Sequence, residues 1–74
     1  MEAIEFQLRG EYVALCDLLK LTGIAASGGQ GKLMIANGDV CVDGHQETRK
    51  TAKIRANQMV TCLGQKVRVM AAEA

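Results

Sequence analysis

Apolar and polar residues alternate near the start of the chain, where Ile4, Phe6 and Leu8 are separated by Glu5 and Gln7 and followed by Arg9. A period of two puts the three apolar side chains on one face of a strand. Gly10 breaks the pattern, and from Glu11 to Leu21 the spacing becomes helical, with Leu15, Leu18 and Leu19 on one stripe. Glu11 in the first turn and Lys20 in the last suit the helix dipole, and Gly23 stands where the helix should end. Ser27 is placed to cap a second helix running to about Asn37, with Leu33, Met34 and Ile35 as apolar bulk and Gly38 as the stop. So few residues separate the two helices that they must turn sharply against each other.

The remainder reads as strands. Val40 and Val42 alternate with Cys41 and Asp43, and Asp43-Gly44 is a tight-turn pair. The polar, basic stretch from Gln46 to Gln58 holds a short strand at Thr51–Ile54. Two further strands, Met59–Leu63 and Lys66–Met70, flank a turn at Gly64-Gln65. Val60 and Cys62 share a face of the first, while Val67 and Val69 in the second send Lys66 and Arg68 to the other side. The order is strand, helix, helix, strands, with no repeats or linkers, and predicts one α+β domain over residues 1–74.

Length narrows the function. A chain this short buries only about 60% of its unfolded surface, which leaves one small core and no deep, walled active site. No apolar run approaches the roughly 20 residues of a membrane span. The acidic, alternating start is unlike a signal peptide, so a cytoplasmic protein is expected. Cys16, Cys41 and Cys62 form no paired spacing, and His45 is the one histidine. Buried thiols are expected, with no zinc or other metal and no cofactor.

Net charge is only +1, but its distribution is uneven. Seven acids and three bases lie between Met1 and Glu47, whereas Thr48 to Ala72 carries six bases and no acid. A polarised chain can present a basic face to a phosphate polymer, or simply a solubilising surface.

The run Ala26-Ser-Gly-Gly-Gln-Gly-Lys32 looks like a phosphate cradle. It is not a nucleotide P-loop: Ala26 stands where the first glycine is needed, Leu33 where the magnesium-binding hydroxyl is needed, and a helix precedes it. Two readings of Gly28, Gly29 and Gly31 stand side by side. Bare backbone at a helix N-terminus, helped by donors on Gln30 and Lys32, can approach a phosphate closely. Alternatively, the glycines let the two helices pack at their corner.

A resemblance carries the reading further. The matching residues are Leu15, Asp17–Leu21 and Gly23; then Ser27, Gly28, Gln30 and Lys32; then Ile35, Ala36, Gly38, Val40 and Val42–Gly44; and finally the contiguous Glu47-Thr48-Arg49-Lys50. Together they resemble the RNA-binding domain named for small-subunit ribosomal protein four, built on the alpha-L motif, and most of all its small stand-alone bacterial members. The resemblance implies two helices in an L, packed on a mostly antiparallel sheet of four to five strands. It also implies an RNA surface along the second helix and the strand and loop after it. Lys20, Ser27, Gly28, Gly29, Gln30, Lys32, Arg49, Lys50, Lys53 and Arg55 are the candidate RNA-binding residues. Many relatives carry this domain beside a catalytic one, such as a pseudouridine synthase; here no second domain is expected. The chain also departs from the pattern, since Gly28 stands where the wider family often has arginine, so backbone N–H groups must do more.

Lys32, Arg49, Lys50 and Lys53 should converge on one surface, and no local acid is expected to neutralise Arg49 and Lys50. His45 shows no nucleophile–base–orienter set and reads as an exposed turn residue, so no enzymatic activity is expected. Glu11 and Asp17 should face solvent on the first helix, and the four methionines should fill the core. With one Tyr, one Phe and no Trp, base stacking is poorly supplied, which favours structured RNA read by shape and backbone. The leading function is therefore a monomeric, ribosome-associated RNA-binding protein of translation, contacting ribosomal or transfer RNA. The alternative is a protein-interaction module whose basic face meets an acidic partner.

Overall fold

The computed structural model describes residues 3–72. β1 (Ile4–Gln7) is followed by a two-residue strand, β2 (Val13–Ala14), and then by the helices α1 (Leu15–Leu21) and α2 (Gly28–Ala36). The strands β3 (Val40–Val42), β4 (His45–Gln46), β5 (Lys53–Ile54), β6 (Met59–Cys62) and β7 (Gln65–Met70) complete the chain. Five strands form one sheet in the order β1-β7-β6-β3-β4, antiparallel except where β1 runs parallel to β7; β2 and β5 pair antiparallel on their own. The fold is thus α+β, two short helices with a small, mostly antiparallel sheet.

The core lies between the helices and one face of the sheet. Leu15, Leu18 and Leu19 from α1 are fully buried, and so are Ile35 from α2 and Val40, Val60 and Val67 from the sheet. The predicted faces hold: Val60, Cys62, Val67 and Val69 point inward, while Lys66 and Arg68 are exposed. Leu33 does not belong to the core. It is 65% exposed, because α2 buries Met34 and Ile35 instead. Met34 is the one core methionine among the described residues; Met59 is half-buried, Met70 exposed, and Met1 lies outside the described range.

Three boundaries differ from the sequence pattern for a tertiary reason. The helix predicted from Glu11 begins at Leu15, so Asp17 and not Glu11 occupies its first turn; both are exposed. Val13 pairs with Ile54 and Ala14 with Lys53, and the N–H groups of Leu15 and Cys16 donate to the carbonyls of Ala52 and Lys50. The N-cap residue, Ala14, offers no side-chain acceptor, so a neighbouring chain segment satisfies the helix's free N–H groups. The strand predicted at Thr51–Ile54 shortens to Lys53–Ile54, because the Ala52 N–H closes a turn onto the Arg49 carbonyl while its own carbonyl accepts from Leu15. Finally, β6 pairs with β7 so that Cys62 faces Gln65, which moves the turn to Leu63-Gly64.

The hairpin at Asp43-Gly44 is as expected, with Val42 opposite His45. Asp43 (φ 52°) and Gly44 (φ 84°) are both left-handed, the geometry of a tight type I′ turn. Asp43 adds a second function. Its Oδ1 accepts from the Met59 N–H at 2.9 Å, tying the turn to β6.

Candidate functional site

The first turn of α2 is built as its sequence predicts. Ser27 Oγ accepts the Gln30 N–H at 3.1 Å. Gln30 reaches back in turn, its Oε1 accepting the Ala26 N–H at 2.7 Å, a variant of the capping box. Gln30 is therefore partly committed to the cap. Among the described residues, the N–H groups of Gly28 and Gly29 have no partner, as the open end of a helix requires.

The glycines divide between the two readings. A β-carbon on Gly31 would stand 3.0 Å from the Cys16 carbonyl oxygen and 3.6 Å from Leu19 Cβ, so this glycine lets α2 close on α1. One on Gly28 would meet nothing, and one on Gly29 only Ser27 Oγ at 3.8 Å. Packing therefore accounts for Gly31 and leaves Gly28 and Gly29 facing open space.

The segment from Glu47 to Arg55, which includes β5, runs past the α1 N-terminus, where the carbonyls of Lys50 and Ala52 accept from Cys16 and Leu15. Lys50 is held there through its carbonyl, which accepts from Cys16, the residue against which Gly31 packs. Arg49 and Lys53 line an open concavity of about 400 Å³ with Thr51 and Ala52. Lys32, one residue beyond Gly31, is exposed on the adjoining turn. Lys20 lies exposed in the last turn of α1, one helical turn past Cys16. Gly31 of α2 and Lys50 of the basic loop thus both touch the Cys16 backbone, with Lys20 standing further along α1.

Arg49 is not unpartnered, contrary to the charge count. Its Nη2 lies 2.9 Å from Glu47 Oε1, and its Nε donates to Oε2 at 3.3 Å. The backbone N–H groups of Thr48 and Arg49 also donate to Oε2. The side-chain bond from Arg49 is the main reason that Glu47 is held below the usual carboxylate pKa and Arg49 above its usual value. Glu47 falls one residue outside the acid-free stretch, but its two-residue spacing from Arg49 was visible in the sequence.

Tyr12 was not among the expected site residues. Lys53 Nζ lies 5.0 Å and Arg55 Cζ 5.7 Å from its ring centroid, both within cation–π range. The pairing of β2 with β5 creates this cluster, placing Tyr12 beside Arg55. Alternation of Lys53 and Arg55 about Ile54 hinted at a shared face; nothing local pointed to Tyr12.

His45 is exposed on β4. Cys16 and Cys62 are buried, whereas Cys41 is only half-buried, and burial pushes the Cys62 thiol pKa up. No group of His, Cys, Asp and Glu among the described residues is placed to hold a metal ion. Neither helix is long and apolar enough to cross a membrane.

Comparison with known proteins gives this geometry a family. The S4 domain pattern matches residues 6–70. YbcJ of Escherichia coli (strain K12) is 55% identical over 60 residues, covering 81% of this chain and 86% of that protein; YbcJ of Shigella flexneri matches to the same extent. The solution structure of E. coli YbcJ, whose alpha-L motif is described as involved in RNA binding, superposes with a TM-score of 0.75 at 49% identity, covering 96% of this chain and 91% of that one. With its two helices, its mostly antiparallel sheet and a match across nearly its whole described length, the chain belongs to the S4 domain family.

Proposed function

We propose that this protein binds structured RNA, of the ribosomal or transfer class, as a cytoplasmic, monomeric single domain with no catalytic activity of its own. One observation carries the reading. A relative that is 49% identical over 96% of the chain has an alpha-L motif described as involved in RNA binding. The local chemistry supports it. The free N–H groups of Gly28 and Gly29, in the first turn capped by Ser27 and Gln30, donate to one phosphate. Lys32, Arg49, Lys50, Lys53 and Arg55 attract the neighbouring phosphates, with Lys20 at the periphery. Arginine suits phosphate by its planar fork, lysine as a point charge.

A basic face that meets an acidic protein is the competing reading, and exposed Leu33 beside Lys32 is the feature that favours it. Ultraviolet crosslinking in cells separates the two: crosslinked RNA is expected, and its absence alongside a captured acidic protein overturns the RNA reading. Residue roles are tested by changing Arg49 and Lys50 together to alanine. Both are exposed, so the melting temperature should barely move. RNA affinity should fall by roughly 1–3 kcal/mol, the scale of two charge-assisted contacts. Unchanged affinity would remove both residues from the site.

A further inference from the structure

The chain contains one phenylalanine, one tyrosine and no tryptophan, yet both aromatics line the same cavity. Phe6, Gln7, Arg9, Gly10, Tyr12, Val13 and Leu21 line an open depression of about 340 Å³. That is the small end of the range for ligand pockets, with room for one nucleobase. Tyr12 is 46% and Leu21 62% exposed, so apolar surface is left open to solvent at its mouth. Arg9, exposed just beyond β1, is the charged residue of the lining, and its guanidinium fork suits the edge of a base. No acid is among the lining residues. Lys53 and Arg55 lie over the Tyr12 ring, and Lys53 also lines the concavity it shares with Arg49. A band of positive charge therefore leads from the proposed RNA face to this cavity.

We propose that the cavity takes one unpaired nucleobase of the bound RNA, packed against Tyr12 and Phe6, while Lys53 and Arg55 hold the phosphates beside it. The proposal rests on the RNA-binding reading and adds to it. The preferred RNA is then a helix that carries an extruded nucleotide, not an uninterrupted duplex. Charge complementarity selects RNA as the occupant, because apolar contact with a protein would need neither the cations on Tyr12 nor Arg9.

The test uses two hairpin RNAs at low salt, alike except that one carries a single bulged 2-aminopurine. The wild-type protein should bind the bulged hairpin about tenfold more tightly, the scale of one base stacked on an aromatic ring, and change the probe's fluorescence. Tyr12→Leu should bring the affinity ratio close to one; Tyr12 is half-exposed, so the variant should fold. Arg49→Ala with Lys50→Ala should weaken both hairpins and keep the ratio. If the wild type binds both hairpins equally and leaves the fluorescence unchanged, the base pocket is wrong while RNA binding stands. If it binds neither, both readings fall.

Discussion

Glu47 decides how much of the loop's positive charge is free. It accepts both side-chain and backbone hydrogen bonds from Arg49, so the guanidinium proposed to meet phosphate is already held by an acid. Glu47→Gln keeps an acceptor oxygen and removes the charge. RNA affinity should therefore rise about threefold, in line with the 0.2–1 kcal/mol of an exposed ion pair, as measured by titration against a hairpin RNA. The pH dependence follows from the direction of the shift. Glu47's pKa is lowered in the folded protein, so the Arg49 bond is in place above the ordinary carboxylate range and is lost only as pH falls through that lowered value. Binding near neutral pH should accordingly be insensitive to Glu47 titration. An affinity for Glu47→Gln equal to or below the parent's would mean that Arg49 does not meet phosphate.

At the level of elements, the corner between α1 and α2 separates packing from binding. Gly31→Val forces a branched side chain against the Cys16 carbonyl and Leu19, and should cost roughly 1–3 kcal/mol of stability, the usual cost of overpacking. Gly29→Val meets only the Ser27 hydroxyl, so its effect on stability should stay within about 0.5 kcal/mol, as for other open surface sites. It should nevertheless weaken RNA binding if a phosphate approaches the bare backbone there. Thermal melts and affinity titrations of the two variants check this. A Gly29→Val protein that melts far lower with unchanged affinity would assign that glycine to packing as well. The sequence identified the glycine cluster and its helix cap, but which glycine touches α1 depends on how the helices cross.

On the scale of the whole molecule, which measures 35 × 25 × 21 Å, Lys32 and the loop cations Arg49, Lys50 and Lys53 come from two chain segments that both touch the Cys16 backbone. Three to five phosphates neutralised together should give a log affinity against log salt slope of roughly −2 to −5. A flat salt dependence would mean that the cations do not act as one surface. The near-neutral net charge is no obstacle, because it is the distribution of charge that steers a polyanion.

The sequence alone determined what depends on local periodicity and backbone preference. Alternation marked the buried faces at Ile4, Phe6 and Leu8 and at Val60, Cys62, Val67 and Val69. Ser27 marked a helix start because its hydroxyl can accept a backbone N–H of the first turn, and Gly23, Gly38 and Asp43-Gly44 marked stops and a hairpin because they suit left-handed backbone that few residues adopt. Only the tertiary structure decided where α1 begins, since the carbonyls of Lys50 and Ala52 lie far along the chain from the N–H groups they accept. It also set the turn at Leu63-Gly64, through strand register, and brought Tyr12 and Phe6 to one cavity and Lys53 and Arg55 to the Tyr12 ring. The α1 start and the Tyr12 cluster join residues some forty apart in sequence, and their energy comes from pairing and packing that no local pattern encodes.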